Sequence, residues 1–128
     1  MKARIGVTSE SLLRRHMISA TSGNANHNKH IPTFWFTSLN EASKLLSNEN
    51  IELMLLISRE KPESLAELAE ISGHHIRELS RTLDDLSSKG FIQFEEKGNA
   101  CRPIAVFTDF EIILGKELEN TLQESYCA

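Results

Sequence analysis

The chain is poor in cysteine, with only Cys101 and Cys127 among its 128 residues. Two cysteines at this distance form neither a disulfide framework nor a metal-ligand cluster. Long apolar runs are also missing, since IELMLLI and FEIIL are broken by acids and fall short of the roughly 18 residues of a membrane span. No continuous apolar segment follows the basic residues near the N-terminus, so we expect no secretory signal. These absences predict a cytoplasmic protein with free thiols and no membrane partner.

Motifs that position a catalytic group are absent as well. The sequence contains no nucleophile elbow, phosphate-binding loop, metalloprotease histidine pair or zinc-finger spacing. His27 and His30 lie three residues apart in a polar stretch, but no other ligand type accompanies them, which favours a solvated linker over a metal site. We therefore expect no enzymatic activity, no cofactor and no bound metal.

Positive charge is scarcer than negative charge. The chain has 14 lysines and arginines against 18 aspartates and glutamates, a net charge of −4. This balance argues against a protein that coats nucleic acid nonspecifically, although a local basic face can still bind DNA. A hydrophobic share of 40% is ordinary for a globular protein, and the length suits a single domain.

Composition divides the chain into three predicted segments. Residues 1–30 are an N-terminal extension, in which a β-favouring run and a helix capped at Ser9 or Ser11 precede a flexible linker, TSGNANHNKHIP. Residues 31–108 are the predicted DNA-binding domain, and residues 109–128 a C-terminal segment for dimerisation. A helix is predicted over 116–125, while 109–114 fits either the start of a longer helix or a third strand.

Helix boundaries are marked clearly between residues 38 and 90. Ser38 with Glu41, and Ser64 with Glu67, form capping boxes at two helix N-termini. Gly73 stands where a left-handed C-cap is needed. These signals, with apolar residues at helical spacing, predict consecutive short helices and a tight turn at Gly73.

The predicted helices are followed by a β-hairpin around Gly98 and Asn99. Helices followed by a hairpin are the layout of a winged helix-turn-helix. The spacing agrees, because small Ala69 falls where two helices cross closely, Gly73 in the turn, and apolar Leu79 six residues later. The predicted fold class is therefore α+β, mainly α: a winged helix-turn-helix with a C-terminal helix and an N-terminal extension.

The stretch KPESLAELAEISGHHIRELSRTLDDLSSKGFIQFEEKGNACRPIAV resembles the winged-helix core of small prokaryotic transcriptional regulators of the MarR/ArsR type, some of them antitoxin-like. The resemblance spans about residues 38–108. It implies that the helix after Gly73 enters the major groove of DNA and that the hairpin contacts the DNA backbone. It also implies, for antitoxin-like members, that a toxin is a second partner.

The helix after Gly73 has two chemically different sides. Arg77 and Arg81, four residues apart, share the polar side in the N-terminal half of the helix. Arginine can form two hydrogen bonds with a guanine edge and also suits phosphate. The competing interpretation is that Arg81 pairs with Asp84 or Asp85 and that Arg77 is solvated. The predicted apolar side consists of Ile76, Leu79, Leu83 and Leu86.

The tip of the predicted hairpin holds only Lys97, Asn99 and Arg102, and Glu95 and Glu96 precede it. This composition predicts modest DNA affinity with strong salt sensitivity. Cys101 is interpreted as a bystander thiol rather than an oxidation sensor. The full set of predicted DNA-binding residues is His74, His75, Arg77, Ser80 and Arg81 on the helix pair, and Lys97, Asn99 and Arg102 in the hairpin.

These features predict a homodimeric transcriptional repressor that binds a short palindromic operator in double-stranded DNA. Two copies of the helix would meet half-sites about one helical turn, roughly 10 bp, apart. Two alternatives stay open. The protein could be an antitoxin-type regulator that also binds a protein through its N- or C-terminal segment, or a winged-helix protein-interaction module that does not bind DNA.

Overall fold

The computed structural model, which describes residues 1–21 and 32–127, has an α+β fold. None of its helices in these ranges is long and apolar enough to cross a membrane. The predicted linker, with His27 and His30, lies outside the described residues except at its ends. In chain order the elements are β1 (Lys2–Val7), α1 (Glu10–Thr21), β2 (Phe34–Phe36), α2 (Leu39–Leu45), α3 (Asn48–Glu60), α4 (Leu65–Ser72), α5 (Ile76–Ser88), β3 (Ile92–Lys97), β4 (Ala100–Ala105), β5 (Asp109–Leu114) and α6 (Lys116–Cys127).

The chain forms two compact units. The helical unit comprises Met1 and Leu45–Thr108, and the sheet unit comprises the described residues of Lys2–Lys44 and of the segment from Asp109 onward. This division differs from the predicted domain range of 31–108, since β2 and most of α2 belong to the sheet unit. The reason is strand pairing, because β2 hydrogen-bonds to β1 rather than to any strand of the helical unit.

The helical unit is built around apolar side chains from three helices and a hairpin. Helix α3 packs against α4 and β4, and α5 packs against α4 and β3. Complete burial of side chains such as these supplies about 1.5–3 kcal/mol each relative to exposure. The buried apolar residues of this unit are Leu46, Leu53, Met54, Ile57, Leu68, Leu79, Leu83, Leu86, Phe91 and Ile92.

The hairpin of β3 and β4 confirms the predicted turn at Gly98 and Asn99. The strands pair antiparallel from Ile92 opposite Ala105 to Lys97 opposite Ala100. The ring of Phe91 meets that of Phe107 edge to face, with centroids 6.0 Å apart, which fastens the base of the hairpin.

Ser38 and Ser64, which the sequence predicts as helix N-caps, both accept backbone hydrogen bonds at the start of a helix. The Oγ of Ser38 accepts a hydrogen bond from the N–H of Glu41 at 3.1 Å, and that of Ser64 accepts one from Glu67 at 3.1 Å. A third cap, at Ser47, was not predicted; its Oγ accepts from the N–H of Asn50 at 3.2 Å. These bonds satisfy backbone donors that have no partner within the helix.

The sheet unit contains a parallel three-stranded sheet in the order β2-β1-β5. Strand β1 pairs with β2 from Ile5 opposite Phe34, and with β5 from Lys2 opposite Asp109. Of the two structures proposed for residues 109–114, the strand is therefore the one observed, and the helix predicted after Gly115 is α6. Helix α6 packs against α1 and β5 and buries Leu118 and Leu122. The two chain ends thus share one sheet.

Candidate functional site

Helices α4 and α5 are joined by a turn at Gly73. Gly73 has φ 76°, the left-handed conformation predicted for it, and its N–H donates to the carbonyl of Ala69 at 3.0 Å. A Cβ at Gly73 would meet no atom within 4 Å, so the backbone angle rather than crowding favours glycine here. The turn lets α5 start three residues later and pack on α4, and Leu68 of α4 and Leu79 of α5 are both buried.

The buried side of α5 consists of three leucines rather than four apolar residues. Leu79, Leu83 and Leu86 are at most 2% exposed. The prediction that Ile76 joins them is wrong, because this side chain is 44% exposed at the first turn of the helix. At that position α5 has just left the turn and extends beyond the packed region, so Ile76 adds an apolar group to the surface.

The opposite side of α5 presents the two arginines to solvent. Arg77 and Arg81 are exposed, and Ser80 beside them is half-buried. Four-residue spacing places both guanidinium groups on one face, about one turn apart. Among the side chains that the structure describes, neither arginine forms an ion pair, with Asp84, Asp85 or any other acid. Both side chains are therefore available to an external partner.

The two histidines at the start of α5 have separate surroundings. His75 is the N-cap, and its Nδ1 accepts a hydrogen bond from the N–H of Arg77 at 3.3 Å. Through this hydrogen bond His75 caps the N-terminus of α5, two residues before Arg77. The N–H of His74 donates to the Oγ of Ser72 at 3.3 Å, and its side chain lines a groove beside α3.

The hairpin residues in the predicted site are spread out. Asn99 is exposed at the tip of the turn, whereas Arg102 is half-buried on β4. The side chain of Lys97 lies outside the described part of the structure. The Nε atom of Arg102 is buried and has no hydrogen-bond partner among the described residues.

Lys61 joins Arg102 at a recess of about 140 Å³ that also includes Ser58. Lys61 is exposed and ends α3 in a left-handed conformation, φ 50°, directly before Pro62. Lys61 is not among the residues predicted for the site. A signal was available, because a Lys-Pro pair after an amphipathic helix marks a helix end with an exposed cation.

A larger groove of about 520 Å³ lies between α3 and the end of α4. Its apolar wall includes Leu53, Leu56 and two exposed residues, Leu55 and Ile71. The remaining groups that line it are Glu49, Glu52, Arg59, Ser72 and His74. This groove was not predicted from the sequence.

Metal binding finds no geometric basis in the described ranges, which contain no group of three or more His, Cys, Asp or Glu side chains placed to hold an ion. Cys101 is exposed and free. The exposed charged residues of α5 are the cations Arg77 and Arg81 together with the acids Glu78, Asp84 and Asp85, so its surface offers both guanidinium groups and carboxylates.

Comparison with known proteins gives one match. Residues 45–112 match the model of the HVO_A0114 family, a range that extends from α3 through the α4–α5 pair and the hairpin into β5. Comparisons with curated proteins and with solved structures return no match. Because the matched range is more than half of the chain, this protein belongs to the HVO_A0114 family.

Proposed function

We propose that this protein is a DNA-binding transcriptional regulator in which α3, α4, α5 and the β3–β4 hairpin act as a winged helix-turn-helix. The observation that supports this most is the exposure of Arg77 and Arg81, which form no ion pair with any described residue, on the α5 face opposite three buried leucines. In this proposal α5 is the recognition helix and the hairpin is the wing.

The chemistry of the α5 face matches what the major groove presents. An α-helix fits the width of that groove, and a guanine edge offers two acceptors to one guanidinium group. Arg77 and Arg81 lie in the N-terminal half of α5, the part that a recognition helix brings nearest the bases. Ser80, half-buried beside them, is placed to donate to a phosphate.

The wing contributes contacts to the DNA backbone in this proposal. Asn99 at its tip is exposed and can bond phosphate, and Lys97 of the same hairpin is proposed as a phosphate contact from its sequence position. The half-buried Arg102 acts together with Lys61 at the flank rather than at the tip. Few cations at the wing tip imply modest affinity that falls steeply with salt.

The net charge of −4 is compatible with DNA binding through this face. Helix α4 has exposed acids at Glu67 and Glu70, and α6 begins with Glu117 and Glu119. A repressor of this size commonly binds as a homodimer, with two recognition helices on half-sites one helical turn apart. We propose that arrangement here, with a palindromic operator as the target.

A fluorescence anisotropy titration on DNA from upstream of the protein's own gene tests the proposal. The wild type is compared with Arg77→Ala/Arg81→Ala at two salt concentrations. Each bidentate arginine–guanine contact contributes about 1–3 kcal/mol, so the variant is expected to bind about 30-fold or more weakly. The control is Arg14→Ala/Arg59→Ala, which removes the same charge from exposed arginines on α1 and α3.

A second variant separates sequence recognition from simple attraction. Arg77→Lys/Arg81→Lys retains both charges but loses the planar, two-donor geometry. It is expected to bind random duplexes like the wild type and to lose most of its preference for the operator. Equal binding by wild type and the alanine variant, or no salt-dependent binding by the wild type at all, would contradict the DNA proposal.

The groove beside α3 favours a second function, a protein-interaction module. Its exposed Leu55 and Ile71, with Glu49 and Glu52 at the rim, suit a partner helix that presents apolar side chains flanked by lysines. A synthetic amphipathic peptide with leucines on one face and lysines on the other is the probe. Leu55→Asp should abolish its binding, whereas Leu39→Asp, at a similarly exposed leucine of α2, should not.

A further inference from the structure

The parallel sheet has two edges of very different length. On one side β2 contributes only three residues, and very short edge strands resist further pairing. On the other side β5 has six residues, and no described strand pairs with its outer edge. Its sequence, DFEIIL, contains no lysine and no proline, and its two acids are Asp109 at the start of the strand and Glu111, which is ion-paired with Lys2 and Arg4.

The two faces of β5 differ in chemistry. Glu111 lies on one face, where its carboxylate contacts the Nζ of Lys2 at 3.0 Å and the guanidinium of Arg4 at 3.2 Å across the strand pair. The alternate residues Phe110, Ile112 and Leu114 lie on the other face, since successive side chains point to opposite sides. Ile112 is 43% exposed and Leu114 51% exposed.

The apolar face of β5 continues an apolar face of β1. In the observed register Ala3, Ile5 and Val7 stand beside Phe110, Ile112 and Leu114, and all three β1 residues are buried. The sheet therefore has a covered apolar face that becomes exposed along β5. Among the described residues, the burial of this apolar face and the pairing of strands both end at β5.

We propose that β5 pairs antiparallel with β5 of a second copy of this chain, joining two three-stranded sheets into one of six strands. A two-fold axis perpendicular to the sheet leaves the same face on the same side in both copies. Two residues that stand opposite each other must then have side chains on the same face of the sheet. This is possible only if the axis passes midway between one residue and the same residue of the second copy.

The register is fixed by side-chain chemistry. With the axis through Ile112, Phe110 stands opposite Leu114 of the second copy and Ile112 opposite its equivalent, which gives three apolar pairs on one face. With the axis through Glu111, two carboxylates would face each other directly, and like charges in that position are destabilising. With the axis through Ile113, Phe110 would stand opposite position 116, outside the strand, and only the two pairs of Ile112 with Leu114 would remain on the apolar face. Ile112 is therefore the central residue of the proposed interface.

This inference deepens the proposed function, because it assigns a surface to the homodimer of the regulator. The self-association is testable without DNA, and the Arg77 and Arg81 face is testable on DNA. An intact dimer that fails to bind DNA would contradict the proposed function alone. Arginine-dependent DNA binding by a monomeric wild type would contradict this inference alone.

Sedimentation equilibrium of the full chain measures the association. Ile112→Lys places two ammonium groups opposite each other at the axis, and the dissociation constant of the dimer is expected to rise about 100-fold or more. Leu39→Lys is the matched control, an equally large change at a leucine that is 49% exposed on α2 of the same unit. The control should dimerise like the wild type. A monomeric wild type, or unchanged dimerisation of Ile112→Lys, would overturn the inference.

Disulfide crosslinking tests the register independently of stability. In a Cys101→Ser/Cys127→Ser background, Ile112→Cys brings two thiols together at the axis and should form a covalent dimer under mild oxidation. Glu111→Cys in the same background places the thiols about two residues apart along the strand, and should react about 10-fold or more slowly. Faster crosslinking through Glu111→Cys than through Ile112→Cys would overturn the proposed register.

Discussion

A methyl group added at Gly6 of β1 is expected to destabilise the sheet unit by collision with Trp35. A Cβ at Gly6 would lie 2.5 Å from Cζ3 and 2.7 Å from Cε3 of Trp35, and 3.1 Å from Cγ of Pro32. Ordinary contacts begin at 3.4 Å, so the indole ring must move by about 0.9 Å. Because strand pairing opposite Gly6 fixes the backbone of Trp35, the ring cannot move away freely.

The expected change in the free energy of unfolding caused by Gly6→Ala combines two opposing effects. Overpacking of a well-packed site costs about 1–3 kcal/mol, and the short distances place Gly6→Ala near the upper end. Alanine restricts the unfolded chain more than glycine does, which offsets about 0.5–1 kcal/mol. The expected loss in the free energy of unfolding is therefore about 2 kcal/mol.

A double-mutant cycle tests this reasoning. Gly6→Ala, Trp35→Leu and the double variant are unfolded in urea beside the wild type, with far-UV circular dichroism as the signal. The smaller leucine makes room for the methyl group, so the double variant should be about 1 kcal/mol or more better than the sum of the single effects. Additive effects, within about 0.5 kcal/mol, would refute the proposed collision.

Three further predictions concern the helical unit and use the same urea assay. Gly73→Ala should lower the free energy of unfolding by about 1 kcal/mol, since its methyl group meets nothing and only the left-handed backbone is penalised; Gly73→Asn should lose less, and an unaffected alanine variant would contradict this. Leu83→Ala should lower the free energy of unfolding by about 2–5 kcal/mol, while Ile76→Ala, at an exposed position, should lower it much less. Equal losses for the two variants would mean that Ile76 is buried. Ser64→Ala should cost about 1 kcal/mol through loss of the N-cap of α4, and Ser64→Asp should retain stability.

The helices of the helical unit could be predicted because their signals are local. Ser64 with Glu67, Gly73 and the leucine spacing of α5 each specify a helix start, end or face within a few residues. The hairpin at Gly98 and Asn99 is local for the same reason.

The parallel sheet could not be predicted in the same way. Strands β1 and β5 are partners only because residues near one end of the chain meet residues near the other, and no short window of sequence contains that information. For residues 109–114 the pattern fitted both a helix and a strand, and the tertiary pairing with β1 decides between them.

The sequence also predicted which side of α5 is exposed, but it did not predict the contacts of the residues around that side. Arg77 and Arg81 are exposed on one side, as helical periodicity requires. The half-burial of Arg102, the capping role of His75 and the exposure of Ile76 depend on how neighbouring elements pack. Spacing along the chain contains no record of those contacts.

The pairing of β1 with β5 also has a consequence for the order in which the protein folds. Closing a loop of roughly 100 residues to join these strands costs conformational entropy, and it must wait until β5 has been synthesised. Most of the helical unit, Leu45–Thr108, lies between them in sequence and has its own buried core, so it can form first. Once the helical unit has folded, a compact body takes the place of most of the flexible chain between β1 and β5. The loop that must still close for these two strands to pair is then much shorter.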